Sequence, residues 1–599
     1  MNLADFVYKW KRVTTSETRA AKEHFIDLCT LLGERTPNES DYEGTDYSFE
    51  KHVDTALGGK GFADVWKRGY FGWEYKSKGE DLVKAYAQLL NYHGALDHPP
   101  LLVVCDLERF HIHTTFTGLP HTVFKFSLDD LAANQPTPDC ALPPLDVLRA
   151  VFREPDLLKP GKVAEAVTQS AATEFAALAN SLRARGHHPE QAAHFLIRLL
   201  FCLFAEDVGL LPNNLFTTLV ANTRERPDHF SNRLQVLFSN MATGGFFGAE
   251  QILHFNGGLF ADSTVLELTR DDLHVLHRAC ILNWATVEPA IFGTLFERSL
   301  DPDKRSQLGA HYTSRSDIEL IVEPVLMQPL RRRWDEVRAQ ATELADKATG
   351  PKKKQWQNKL RELLFGFEEE LARVRILDPA CGSGNFLYVA LNRLLDLWKQ
   401  VDTFARDHHL SGMLPYKLGR SQLFGIEKNI YAHELASVVV WIGYIQWLKA
   451  SGFGWPPEPI LRPLNNIQRR DAILDHDSEG KPVEPEWPEA DVIIGNPPFL
   501  GGKKLRTELG DQFVDDLFEL YEGRVPREAD LVTYWFERAR EQIVSGRAKR
   551  VGLLATQGIR GGASRKVLQR IKQSGDIFWA QSDREWVLEG ANVRVSMAI

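Results

Sequence analysis

The run Asp491-Val-Ile-Ile-Gly-Asn-Pro-Pro-Phe499 sets an amide, two stiffening rings and a flat aromatic side chain in immediate succession. An asparagine side-chain oxygen and a proline carbonyl both accept hydrogen bonds from an amino group, holding it while its nitrogen lone pair points at an electrophilic methyl. The Phe499 ring offers a face on which the ring bearing that amine can stack. Average composition produces an Asn-Pro-Pro-aromatic run in only about one in a few hundred chains of this length, so a plain turn explains it poorly. Asn496, Pro497, Pro498 and Phe499 are therefore the candidates for group transfer to an amine.

A second constellation supplies a place for a nucleotide-like ligand. Val374-Arg-Ile-Leu377 runs into Asp378-Pro-Ala-Cys-Gly-Ser-Gly384, after which a helical pattern begins at Asn385-Phe-Leu. Strand, glycine-rich turn and helix N-terminus together let the backbone approach a ligand at the carboxyl edge of a sheet. A tight turn alone needs one glycine, whereas this one carries Asp378, Pro379, Ala380, Gly382 and Gly384. It is not a phosphate-binding P-loop, because no Gly-Lys-Ser/Thr follows. The next strand ends in Gly425-Ile-Glu427, where a doubly wound fold grips ribose hydroxyls, and Asp471 in Arg470-Asp-Ala-Ile-Leu474 is a third candidate, for an exocyclic amine of an adenine ring.

A third set lies near the N-terminus. Gly61-Phe-Ala-Asp64 is followed after nine residues by Glu74-Tyr-Lys76, inside the β-like run Phe71 to Lys76. Strand alternation puts Glu74 and Lys76 on one face and Trp73 and Tyr75 on the other. Two carboxylates and a lysine there can bind Mg²⁺ and activate water for phosphodiester hydrolysis. Spacing alone is weak support, since about 0.2 such patterns arise by chance in a chain this long. A helix over Ala85-Tyr-Ala-Gln-Leu-Leu90 and a strand over Leu101 to Asp106 supply the surrounding order that such a site needs.

These residues need elements to hold them. Val374-Arg-Ile-Leu377, Gln422 to Ile426, Asp491 to Ile494 and Val551 to Ala555 alternate with helical patterns, which implies a doubly wound, mostly parallel α/β sheet. The first 155 residues mix a helix from Thr18 to Leu32 with short β-rich runs, a small α/β domain; a stretch from Gln135 to Pro144 reads as a linker or surface loop. Residues 156–300 read as helical, as in Ala172 to Arg183 and Ala192 to Ala205, and residues 331–373 as a charged helical hairpin inserted in the domain that spans 301–599. The closing run Gly590 to Ile599 alternates like a core strand.

At 599 residues the chain has room for roughly four domains, and 44% hydrophobic and 25% charged residues exclude wholesale disorder. Six scattered cysteines form no CxxC pair, so neither a zinc site nor a disulfide framework is expected. No signal peptide or membrane span is legible, and the expected location is the cytoplasm. The net charge of -9 argues mildly against a general polyanion binder. Yet Arg547, Lys549, Arg550, Arg560, Arg565, Lys566, Arg570 and Lys572 follow one another with no acid between Arg547 and Lys572, a run suited to phosphates.

The Asp378-to-Gly384 loop and the Asn-Pro-Pro-Phe motif together resemble the DNA amino-methyltransferases of the gamma order. Leu308-Gly-Ala-His-Tyr-Thr-Ser314 is similar to that family's N-terminal cofactor motif, which implicates Tyr312 and Thr313 beside the methionine end of S-adenosylmethionine, and Asp530 to Phe536 and Gly552 to Gly562 resemble its pocket walls. The resemblance implies a Rossmann-like class I methyltransferase core acting on N6 of an adenine flipped out of double-stranded DNA. Transfer by direct displacement needs no covalent nucleophile, so Cys381 need not be catalytic. A nuclease-like domain, a helical spacer and a gamma methyltransferase in this order resemble the MmeI-like fused restriction–modification enzymes over essentially the whole chain. By that resemblance Asp64 and Glu74 hold Mg²⁺ in a PD-(D/E)xK fold, Lys76 acts on the water and Gln88 is an accessory group. The family continues into a target-recognition domain that this chain does not include, so recognition is expected from another chain or fragment, and DNA contact by this one from phosphates with little sequence preference. Three other readings stay open: a methyltransferase without nuclease activity, a methyltransferase acting on RNA or on a protein amide nitrogen, and a non-catalytic DNA- or cofactor-binding subunit.

Overall fold

The computed structural model describes the chain except residues 14–16, 55–59, 118, 138, 256–257, 290–312, 314, 348–352, 411–417, 455–463, 589–590 and 599. Two compact units emerge, one formed by Met1–Phe175 with Leu273–Glu288 and the other by Ala176–Asp272 with Pro289–Ile599.

The first unit is built on six strands in sequential order: β1 Tyr47–Asp54, β2 Lys60–Lys67, β3 Phe71–Tyr75, β4 Leu101–Cys105, β5 Arg109–Thr114 and β6 Val123–Ser127. All neighbours are antiparallel except β3 and β4. A parallel pair needs a crossover, which the helix Leu82–Asn91 provides, its start capped by the Asp81 side chain accepting from the Val83 N–H. Every residue of β3 and β4 is buried, as expected where both sheet faces are covered. On one face Phe25 and Phe152 pack against Trp73 and Phe71, with ring centroids 5.4 and 5.2 Å apart respectively. On the other, Leu82, Ala85 and Leu89 of the crossover helix cover Trp66, Leu102 and Val104. The stretch Gln135 to Pro144 folds back as a surface loop: Lys125 donates its N–H to the Asp139 carbonyl, and Thr137 and Cys140 exchange backbone bonds.

In the second unit the helices Pro189–Val208, Leu215–Thr223 and Pro227–Thr243 follow the helical expectation, but a short hairpin, β7 Gly245–Phe247 with β8 Glu250–Ile252, interrupts it. The charged segment forms two helices, Gln328–Lys347 and Lys353–Arg373, which run back along each other: Trp334 stacks on Phe367 at 5.4 Å and Arg333 pairs with Glu370 at 3.0 Å.

The main sheet of this unit comprises β9 Ile376–Asp378, β10 Leu423–Glu427, β11 Ile467–Arg469, β14 Val492–Gly495, β15 Arg550–Thr556, β16 Ala580–Leu588 and β17 Ala591–Ala598, while β12 Asp475–His476 and β13 Pro482–Val483 form a separate small ladder. The strand order is β11-β10-β9-β14-β15-β17-β16, parallel from β11 to β15, with β17 entering antiparallel between β15 and β16. The closing run of the sequence is thus an inner strand. Chain order reverses between β9 and β14, and at such a switch point the crossovers diverge and leave a crevice beyond the carboxyl ends of the strands. β9 ends at Asp378 and β14 one residue before Asn496.

The helix Asn385–Asp407 starts from Gly384, whose φ of +82° disfavours any side chain; a Cβ there would also lie 3.0 Å from the Ala436 carbonyl oxygen in the neighbouring helix Ile430–Ala450. Gly384→Ala is therefore expected to destabilise the unit by about 1–3 kcal/mol, read as a lowered urea midpoint with unchanged slope; an unshifted midpoint would show that the turn tolerates a side chain.

Candidate active site

Asp378, the last residue of β9, is 1% exposed. Its Oδ1 accepts the Ala380 N–H at 3.0 Å, and its Oδ2 is buried with no hydrogen-bond partner among the described residues. Burial is the main reason its carboxyl is pushed up to about 8, against the Ala380 hydrogen bond and with the nearby Glu427 adding to the rise. Glu427, ending β10, ties two loops together: Oε2 accepts the Gly382 N–H at 2.9 Å and Oε1 the Asn429 N–H at 2.7 Å. Burial raises its pKa too, opposed by these backbone donors. Asp471, beyond β11, caps its own turn through Oδ1, which accepts from Ile473 and Leu474, while Oδ2 pairs with the Lys428 ammonium at 3.0 Å. An adenine amine at Asp471 would share that carboxylate with Lys428.

Asn496 follows β14 on the adjoining strand. Its Nδ2 donates to the Thr313 hydroxyl at 3.0 Å, and its Oδ1 is buried without a partner among the described residues. Just beyond, Phe499, Leu500, Gly501, Asp530, Val532 and Thr556 line a cavity of about 210 Å³. Its walls are tied down from two sides: Asp530 accepts the Gly502 N–H at 3.2 Å, and Leu531 donates its N–H to the Leu500 carbonyl at 2.8 Å. The wall helix Val532–Val544 is anchored to the glycine-rich loop by Trp535, whose indole N–H donates to the Pro379 carbonyl at 3.0 Å. An amine acceptor, an aromatic face and a small cavity thus adjoin a loop whose buried carboxyl keeps one oxygen without a partner among the described residues.

These features suit the cofactor that the resemblance implies. S-adenosylmethionine carries two cationic centres, and an open, buried carboxylate oxygen such as that of Asp378 needs a cationic or hydrogen-bonding partner. The Cys381 thiol sits in the same loop, but burial holds its pKa well above the ordinary value, so it carries no thiolate for attack. Of the cofactor candidates, Thr313, Asp378, Pro379, Ala380, Gly382, Gly384 and Glu427 gather around β9, β10 and β14, whereas Tyr312 lies outside the described residues.

In the first unit, the β2–β3 register Val65↔Trp73 sets Asp64 beside Glu74, and the Tyr75 N–H donates to Asp64 Oδ2 at 2.6 Å. Lys76 Nζ reaches Glu74 Oε1 at 2.8 Å, and Gln88 Nε2 from the crossover helix reaches the same oxygen at 3.2 Å. Strand alternation, the β2–β3 register and the crossover helix together gather the four expected groups. Two carboxylates offer the hard oxygen ligands that Mg²⁺ prefers. Among the described residues no group of three or more His, Cys, Asp or Glu converges, so such an ion would complete its shell with water and phosphate oxygens.

The basic run is less open than its composition suggests. Lys549 pairs with Asp491 at 2.7 Å, Arg547 with Glu486 at 3.6 Å and Arg570 with Glu537 at 3.0 Å, and Lys572 pairs with Asp576. Arg565 and Lys566, at the start of the helix Arg565–Ser574, stay exposed and make no ion pair among the described residues. Sequence reasoning did not identify Leu500 and Gly501 as cavity walls or Trp535 as the tether to Pro379. No described helix is long and apolar enough to cross a membrane.

Models of three MmeI domains match consecutive parts of the chain: the N-terminal domain over residues 1–185, the helicase spacer domain over 190–260 and the DNA-methyltransferase domain over 351–598. A protein of Bacillus subtilis (strain 168) named DNA methyltransferase A is 27% identical over 413 residues, covering 66% of this chain and 44% of that protein. The solved structure of the type IIL restriction–modification enzyme MmeI in complex with DNA superposes with a TM-score of 0.57 at 24% identity, covering 72% of this chain and 56% of that one. The chain thus spans about half the length of these two relatives.

Proposed function

The chain belongs to the MmeI family, and from that premise we propose that its second unit transfers a methyl group from S-adenosylmethionine to N6 of adenine in DNA, within a restriction–modification or phage-defence system. The observation that carries this reading is the buried Oδ1 of Asn496, without a partner among the described residues, at the switch point of the sheet, beside the Phe499 cavity and the Asp378 loop. The shared fold and the match to the methyltransferase domain support it.

S-adenosylmethionine, when bound, supplies an electrophilic methyl on a sulfonium. Asp378 would hold a cationic centre of the cofactor through its open oxygen, Glu427 would receive ribose hydroxyls while keeping Gly382 and Asn429 in place, and Asp471 would meet the adenine amine. Asn496 Oδ1 and the Pro497 carbonyl accept the two N6 hydrogens of the target adenine, Pro498 stiffens the turn, and Phe499 holds the ring by stacking. With the amine so held its lone pair is directed at the methyl, and the gain comes from alignment rather than from a covalent intermediate. The base must leave the duplex to reach the cavity, which costs a few kcal/mol repaid by stacking and these hydrogen bonds.

In the first unit Asp64 and Glu74 would hold Mg²⁺, with Lys76 beside the attacking water and Gln88 orienting Glu74. Cleavage of double-stranded DNA is the proposed activity.

Asp378 yields a pH test. Its folded-state pKa of about 8 lies above the ordinary 3.8, so near neutrality the folded chain keeps a proton that the unfolded chain releases. Its contribution to stability is complete below about pH 4 and is lost as the pH rises to about 8. A cationic centre beside the open oxygen reverses the shift, so cofactor binding at pH 7 is expected to release close to one proton. Calorimetry in buffers of different ionisation enthalpy measures it; equal release by wild type and Asp378→Asn would remove Asp378 from the cofactor site.

The function is tested by tritiated-methyl transfer with DNA, RNA and protein offered in parallel. Label is expected in DNA alone, and label in RNA or protein would overturn the assignment.

A further inference from the structure

The group that holds Asn496 in place lies 183 positions upstream. Thr313 is 4% exposed, and its hydroxyl accepts the hydrogen bond from Asn496 Nδ2 at 3.0 Å. A carboxamide has a donor end and an acceptor end, and fixing one fixes the direction of the other. With Nδ2 engaged by Thr313, Oδ1 is the end left without a partner among the described residues. A substrate amine arrives with hydrogens to donate, so an open oxygen receives it and an NH₂ in its place would repel it. Among the described residues no other hydrogen bond holds the amide, so without the hydroxyl its rotation about a last torsion with broad minima is resisted by packing. Threonine suits the task because its branched β-carbon restricts the side-chain torsion that carries the hydroxyl.

We propose that Thr313 is a positioning residue that orients the Asn496 amide, so that its oxygen faces the target amine before the base arrives. The resemblance places Thr313 in a cofactor motif; among the described residues its hydroxyl bonds to Asn496, the side chain proposed to receive the substrate. This rests on the methyl-transfer reading of the site and adds to it a residue that acts through Asn496.

The test compares Thr313→Val, which keeps the shape and removes the hydroxyl, with Thr313→Ser, which keeps the hydroxyl. Methyl transfer by Thr313→Val is expected to show kcat lowered about ten- to a hundredfold, with the cofactor Kd from calorimetry unchanged, and Thr313→Ser is expected to recover most of the rate. A kcat unaffected by the valine, or one lowered only in step with cofactor affinity, overturns the proposal. Should the wild-type chain transfer no methyl, the reaction assignment fails, and the contact is judged by itself. In the full chain labelled with ¹⁵N-asparagine, the side-chain NH₂ signal lost in Asn496→Asp belongs to Asn496. It is expected to move in Thr313→Val and to stay near its wild-type position in Thr313→Ser; an unmoved signal in the valine variant contradicts the hydrogen bond.

Discussion

Asn496→Ala is expected to lower the rate of methyl transfer by at least about 10²–10³-fold, equivalent to about 3–4 kcal/mol of transition-state stabilisation, while the affinity for S-adenosylmethionine stays within about twofold. The separation follows from position. Asn496 stands beyond β14 and bonds to Thr313, whereas the carboxylates assigned to the cofactor stand at the ends of β9 and β10, and Glu427 grips the glycine-rich loop directly. Removing the amide deletes an acceptor that strengthens its hold as the amine gains positive charge, an interaction greater in the transition state than in the ground state. It leaves the Asp378 loop untouched, apart from a released Thr313 hydroxyl. Asp378→Asn and Glu427→Gln should do the reverse, weakening cofactor binding first. Single-turnover rates and calorimetric affinities on the same preparations separate the two classes; lost cofactor affinity in Asn496→Ala would contradict the role assigned to it.

The second large effect concerns DNA cleavage. If Glu74 holds Mg²⁺ as proposed, Glu74→Gln is expected to lower cleavage by at least about a hundredfold, since loss of a ligand exceeds the 10- to 100-fold cost usual for its supporting neighbours, and Lys76→Ala should be similarly impaired. Glutamine keeps the side chain's length inside a buried strand, and its amide oxygen can still receive Gln88 and Lys76. Loss of cleavage with an unchanged melting temperature would therefore report chemistry rather than unfolding. Methyl transfer by the same variants should persist. Cleavage that survives both substitutions would mean that the face serves structure or DNA contact instead.

What was legible in the sequence, and what was not, divides along the range of the interactions. Expected strands ending near Leu377, Ile426, Ile494 and Ala555 are found at β9, β10, β14 and β15, because a buried parallel strand must be a continuous apolar run. Asp64, Glu74 and Lys76 were readable for a similar local reason: alternation fixes their face, and the short β2–β3 turn fixes their register. The hairpin β7–β8 went unseen, since three-residue strands leave too little periodicity to detect. Long-range pairing was equally hidden. The basic run has no acid within it, yet Asp491, Glu486 and Glu537 reach its members from distant elements. Asp471 is a candidate acceptor in the sequence, and its pairing with Lys428 on a neighbouring loop has no local signature there. Trp535 lay within a recognised motif, but its bond to the Pro379 carbonyl joins residues 156 positions apart and carries no local signature.

The central claim is that the Asn496 amide presents its oxygen to an adenine amine. It is tested most directly by incubating genomic DNA with the chain and S-adenosylmethionine, then hydrolysing the DNA and identifying the methylated nucleoside by mass spectrometry. N6-methyldeoxyadenosine is expected from the wild-type chain, reduced at least about a hundredfold with Asn496→Ala. Methyl found on cytosine carbon, or an undiminished yield from Asn496→Ala, would contradict it.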